Sequence, residues 1–139
     1  MNSGPIEERL AIRELVETFA VATTRIDAEL WGSTWAEEGA WKLPSLDVPV
    51  VGRDAIVSTF REKMAYLRLI SMTSISTGLV VEGDRARGEA QCQELIYPQA
   101  GGRTVVVGCF EDEYVKRDGE WFFLSRTYTV LGMDQQPGD

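Results

Sequence analysis

Four long extended segments joined by very short glycine-containing turns fill the second half of the chain, and they constrain the fold more than any other feature. "RLISMTSISTGLVVE" runs to "GDR", "ARGEAQCQELIYP" to "QAGG", and "RTVVVGCFEDEYVK" to "RDG", and "EWFFLSRTYTVLG" closes the set. Segments joined by turns this short pair with their sequence neighbours, which predicts an antiparallel meander. The first half reads differently. "SGPIEERLAIRELVETFAVATTR" has an apolar stripe at Ile12, Leu15, Phe19 and Ala22, with Pro5 at the start and Glu7 and Glu8 in the first turn, as an amphipathic helix requires. A second helix is expected from Asp27, with Trp31 and Trp35 one turn apart and Gly39 ending it. "AWKL" then reads as a short strand, "PSLDVP" as a loop, and "VVGRDAIVSTFREKM" as a strand stub, a glycine turn and a third helix.

Helices first and strands after give an α+β fold, with three N-terminal helices on one side of a curved, mostly antiparallel sheet that encloses a pocket. The 139 residues carry no repeat or linker and fit a single domain, 1–139.

Alternation along the strands selects candidate site residues. Side chains point to opposite faces of a sheet in turn. The even-numbered faces of the last three strands are small or apolar, each interrupted by one charge: Glu94 among Ala90, Cys92 and Ile96, Asp112 between Phe110 and Tyr114, and Arg126 between Leu124 and Tyr128. An unpaired buried charge costs several kcal/mol, roughly, so these groups are expected to pair with one another or to meet a ligand. A three-residue loop at 117–119 would set Phe110 opposite Arg126 and Gly108 opposite Tyr128, with Glu94 near Val106 or Gly108. Glu94 and Arg126 would then lie about 10 Å apart at the backbone, within reach of long side chains over a glycine. An Arg126–Glu94 or Arg126–Asp112 bridge that only orients the sheet, and a polar cluster at the floor of an apolar pocket, both fit this pattern.

Asp27 allows two readings as well. It can cap the free N–H groups of the second helix. It can also act as a partly desolvated base beside Trp31 and Trp35, which are either core or pocket wall.

Charge and composition narrow the chemistry. The net charge is -8, which argues against nucleic acid, anionic membranes and anionic substrates. The absence of histidine removes the commonest general base and zinc ligand, so no metal or cofactor is expected. Cys92 and Cys109 form no CxxC pair and read as buried thiols. "MNSGPIEERL" lacks the apolar stretch of a signal peptide and no apolar run is long enough to span a bilayer, so a cytoplasmic location without membrane partners is expected.

The order of these features, namely a helix, "ID" before a second helix, "EEGAW", "VVGRDAIVSTF" and four long strands with "YVKRDGEWFF", resembles the SnoaL-like family of the nuclear-transport-factor-2-like superfamily over nearly the whole chain. The resemblance implies a cone-shaped α+β barrel with a deep apolar pocket. It is nearest to the scytalone dehydratase and hexachlorocyclohexane dehydrochlorinase branch, in which an aspartate pairs with a histidine. Asp27 falls on that aspartate, Arg126 on a pocket position of the last strand, and Glu94, Phe110 and Tyr128 on further pocket positions. The histidine position falls on Ser74, which cannot serve as that base.

The resemblance therefore implies a cofactor-independent dehydratase, isomerase or cyclase acting on a small hydrophobic cyclic substrate. Asp27 would act alone as base, Arg126 held by Glu94 would stabilise the developing anion, and Trp31, Trp35, Ser74, Cys92, Phe110, Asp112 and Tyr128 would contact the substrate. The alternative is a non-catalytic binding or assembly module of the same fold. A homodimer or homotrimer is expected by the same likeness.

Overall fold

A computed structural model describes residues 1–138. The elements run α1 (Ile6–Arg25), α2 (Ala28–Ser33), β1 (Trp35–Lys42), β2 (Val50–Val51), α3 (Arg53–Met64), β3 (Leu67–Glu82), β4 (Arg85–Pro98), β5 (Arg103–Arg117) and β6 (Glu120–Gln136). The fold is α+β, as expected. Six strands form one curved, open sheet in the order β2-β1-β6-β5-β4-β3, antiparallel except where β1 runs parallel to β6. The helices cover its inner face, with α1 against β3, α2 bridging α1 and α3, and α3 against β1. The apolar stripe of α1 is buried as Ile12, Val16, Phe19 and Ala22. No helix among the described residues is long and apolar enough to cross a membrane.

Two expectations are corrected. The second helix does not reach Gly39. It ends at Ser33, and Trp35 opens β1. Trp35 suits either period, but its carbonyl accepts two hydrogen bonds from Arg53, at 3.0 Å from Nε and 2.6 Å from Nη2, and its backbone pairs with Phe123. Gly39 therefore breaks no helix. A methyl group there would press on the Trp35 ring, so glycine is present for packing.

The β5–β6 register is the second correction. The turn is two residues long, Asp118 and Gly119, both at positive φ, as the tight hairpin twist demands. A bulge between Glu113 and Tyr114 then shifts the pairing. Phe110 consequently faces Tyr128, and Asp112 faces Arg126. Glu94 faces Val106, one of the two expected partners. On β6 the same shift buries Trp121 and Phe123 instead of Phe122 and Leu124.

That register makes the deepest polar contact of the fold. Arg126, 1% exposed, donates from Nε to Asp112 Oδ1 at 2.7 Å and from Nη2 to Asp112 Oδ2 at 3.0 Å. Tyr114 donates its hydroxyl to the same carboxylate at 2.9 Å. The guanidinium lies 3.7–4.3 Å from the ring centroids of Phe110, Phe123 and Phe19. Removing one partner of such a pair strands a buried charge. Asp112→Ala should lower stability by about 3–5 kcal/mol in a chemical denaturation curve. A loss below about 1 kcal/mol would show that the pair contributes little.

Candidate functional site

Between the helices and the inner face of the sheet lies a cavity of about 730 Å³. That volume is in the range of small-molecule sites, which are largely apolar with a few placed polar groups. α1 contributes Phe19 and Thr23, α2 Trp31, β1 Trp41, α3 Phe60, and β3 Ile70 and Met72. The sheet adds Glu94, Val106, Phe110 and Tyr128, and the mouth is edged by Leu43, Lys63, Tyr66 and Met133.

The polar centre of this wall is Glu94 with Tyr128. The Tyr128 hydroxyl donates to Glu94 Oε1 at 2.6 Å, and the Cys92 thiol lies 3.8 Å from the same hydroxyl. Backbone geometry explains the pairing. Glu94 and Tyr128 sit on strands separated by β5, and Tyr128 leans across Gly108 to reach its partner. Any side chain at Gly108 would overlap the Tyr128 ring and hydroxyl. The expected bridge over a glycine therefore exists, but it is made by Tyr128 rather than by Arg126.

Burial pushes the Glu94 carboxyl above its ordinary range, and the Tyr128 hydrogen bond draws it partly back. Burial, then the Glu94 charge, raises Tyr128. Burial also holds the Cys92 thiol at about 11, so it is not a ready nucleophile.

The remaining expected site residues lie elsewhere. Asp27 is exposed and does not line the cavity. Its Oδ1 accepts the Leu30 N–H at 3.0 Å, so it is the helix cap. Asp27 and Arg126 therefore do not share a cavity. Arg126 and Asp112 are closed on each other in the core, and Arg126 is not held by Glu94. Trp35 is buried behind the wall, while Trp31 and Phe110 line it. Ser74 shares the inner face of β3 but does not line the cavity, and its hydroxyl donates to the Gln91 carbonyl at 3.0 Å.

Residues that sequence reasoning passed over include Trp41, Phe60 and Met72. Met72 shares its face of β3 with Ile70 and Ser76, the same alternation that was read on the later strands. Trp31 stacks on Phe60 at 4.1 Å and meets Trp41 edge to face at 5.1 Å. The indole N–H groups of Trp31, Trp35 and Trp41 have no hydrogen-bond partner among the described residues.

These features define a class of protein: a helix-covered, open cone of sheet around one apolar cavity with a carboxylate–phenol pair in its wall. The sequence matches the SnoaL-like domain over residues 5–127, and the chain belongs to that family. Solved structures agree in fold. A type 2 hexachlorocyclohexane dehydrochlorinase, LinA, is 15% identical, with a TM-score of 0.86 over 96% of this chain and 92% of that one. A provisionally assigned scytalone dehydratase from Novosphingobium aromaticivorans is 18% identical, with a TM-score of 0.86 over 96% and 91%. A protein of unknown function from Mycobacterium tuberculosis is 23% identical, with a TM-score of 0.76 over 91% and 77%. No curated protein matches the chain by sequence.

Gly108→Ala should displace the Tyr128 ring while leaving the fold intact, because the obstructing atoms are the far end of a side chain. The hydroxyl lowers the Glu94 pKa, so its loss should move Glu94 titration to higher pH in a carbon NMR experiment. Tyr128→Phe should shift it the same way. An unchanged or lower value in both variants would contradict the pairing.

Proposed function

We propose that this chain is a cofactor-independent enzyme of the lyase or isomerase type, acting by proton transfer on a small, mostly hydrophobic, cyclic molecule. The single observation that carries this reading is a raised, partly desolvated carboxylate in the wall of an apolar cavity, hydrogen-bonded to a phenol. Dehydratase and dehydrochlorinase structures of the same fold support the reaction class. A carboxylate raised in this way is a stronger base near neutral pH.

In the proposed step, Glu94 takes a proton from a carbon next to a carbonyl; the C–H electron pair forms a C=C bond, the carbonyl π pair moves onto its oxygen, and Glu94 later returns the proton to another carbon of the enolate. Once Glu94 is neutral it holds the Tyr128 hydrogen bond less strongly. The phenol can then donate to the substrate oxygen that gains negative charge. The aromatic walls limit the water that can compete for that oxygen. Asp27 and Arg126 have structural roles in this reading: one caps α2 and the other anchors the inner sheet.

A second reading is a non-catalytic binding or assembly module, favoured by the closed Arg126–Asp112 pair and the exposed position of Asp27. Self-association through the outer sheet face is part of either reading. Ile75 and Val107 stay 73% and 40% exposed on that face.

The test starts from cyclic ketones and enols that raise the melting temperature, each followed for conversion by mass spectrometry. Glu94→Gln should reduce turnover by about 10²–10⁴-fold, while Asp27→Asn should leave it near wild type. Turnover lost in Asp27→Asn and retained in Glu94→Gln would overturn the assignment. Ligands that bind and are always recovered unchanged would favour the binding module.

A further inference from the structure

The charge inside the cavity is unbalanced. Glu94 is the one carboxylate set into the inner wall, and its Oε2 has no hydrogen-bond partner among the described residues. The other ionisable groups around it do not compensate. Tyr128 on β6 and Cys92 on β4 are neutral at ordinary pH. Glu62 and Lys63 are exposed neighbours at the mouth, on α3, and offset each other, and Tyr66 is exposed beside them. The buried cation, Arg126, is neutralised by Asp112 and does not line the cavity.

Among the described residues, the rest of the wall offers unpartnered indole N–H donors at Trp31 and Trp41, which suit a neutral acceptor, but no cation inside the mouth. Besides Tyr66 at the mouth, six aromatic rings line the cavity: Phe19, Trp31, Trp41, Phe60, Phe110 and Tyr128. Aromatic faces attract cations and not anions, most strongly where water is excluded. An anion placed among them beside Glu94 would find no counter-charge, whereas an ammonium would complete the missing pair and donate to the free carboxylate oxygen.

We propose that the cavity binds protonated hydrophobic amines, with the ammonium on Glu94 and the apolar body among the aromatic rings, and refuses carboxylates of the same skeleton. The inference rests on the reading that this cavity holds a small hydrophobic ligand. It adds a charge rule to that reading. Because such an amine occupies the proposed base, it should also inhibit conversion of a neutral substrate.

The experiment is calorimetric titration of the whole protein with naphthylmethylamine, naphthylmethanol and naphthoate at neutral pH. The amine should bind about ten- to a hundredfold more tightly than the naphthoate, the range of a charge-assisted hydrogen bond, with the alcohol between them. Glu94→Gln should bring the three together. In the wild type, acidification through the Glu94 titration should weaken the amine, which stays protonated throughout. That measurement stands even if the variant fails to fold. Naphthoate binding as tightly as the amine, or amine binding indifferent to pH, would overturn the charge rule and leave the cavity as a neutral ligand site. No binding by any of the three would overturn both the rule and the ligand reading beneath it.

Discussion

The buried pair of Arg126 and Asp112 organises the inner face of the sheet. A guanidinium taken out of water must be fully paired, and here it has a two-pronged carboxylate and three aromatic rings around it. To meet that demand, β6 must set Arg126 opposite Asp112, and this register also sets Tyr128 opposite Phe110. Phe19 of α1 packs against the same cation, so the pair ties the first helix to the sheet. Its chemistry is used up in doing so. A closed pair has no charge left for a ligand, and the proposed reading therefore turns to the carboxylate that lines the cavity.

That carboxylate is Glu94. Its environment follows from one small residue: because Gly108 has no side chain, Tyr128 can lie across β5 and donate to Glu94 two strands away. The pair therefore has a supporting floor of Cys92, Gly108 and Phe110, and an open side toward the cavity. A polar group supported from below and open above is the arrangement that proton transfer in an apolar site needs. In the proposed reading, the missing histidine of the dehydrochlorinase-like pattern goes with a base at Glu94 rather than at Asp27. Ser74, at the position of that histidine, is bonded to the Gln91 carbonyl, and Asp27 caps α2.

Much of this was legible in the residues. Period-two alternation placed Ala90, Cys92, Glu94 and Phe110 on the inner face, because β4 runs without a bulge and β5 keeps its phase past Phe110. On β6 it held for Arg126 and Tyr128 and failed only between the turn and the bulge beside Tyr114, where the apolar face moves from Phe122 and Leu124 to Trp121 and Phe123. No local pattern marks such a bulge. Trp35 was misplaced for a related reason: its spacing from Trp31 satisfies a helix, and only the long-range contacts to Arg53 and Phe123 make it a strand residue. Asp27 could not be resolved locally, since a cap and a base look alike in sequence. Its exposure separates them.

The claim that the cavity's chemistry lies at Glu94 and Tyr128 is tested most directly by a crystal structure of the protein with its tightest-binding small cyclic ligand. The account predicts a polar ligand atom within about 3 Å of a Glu94 carboxylate oxygen or the Tyr128 hydroxyl, with the Arg126–Asp112 pair undisturbed below. A ligand seated on Asp27, or one that draws Arg126 away from Asp112 to contact it, would contradict the account.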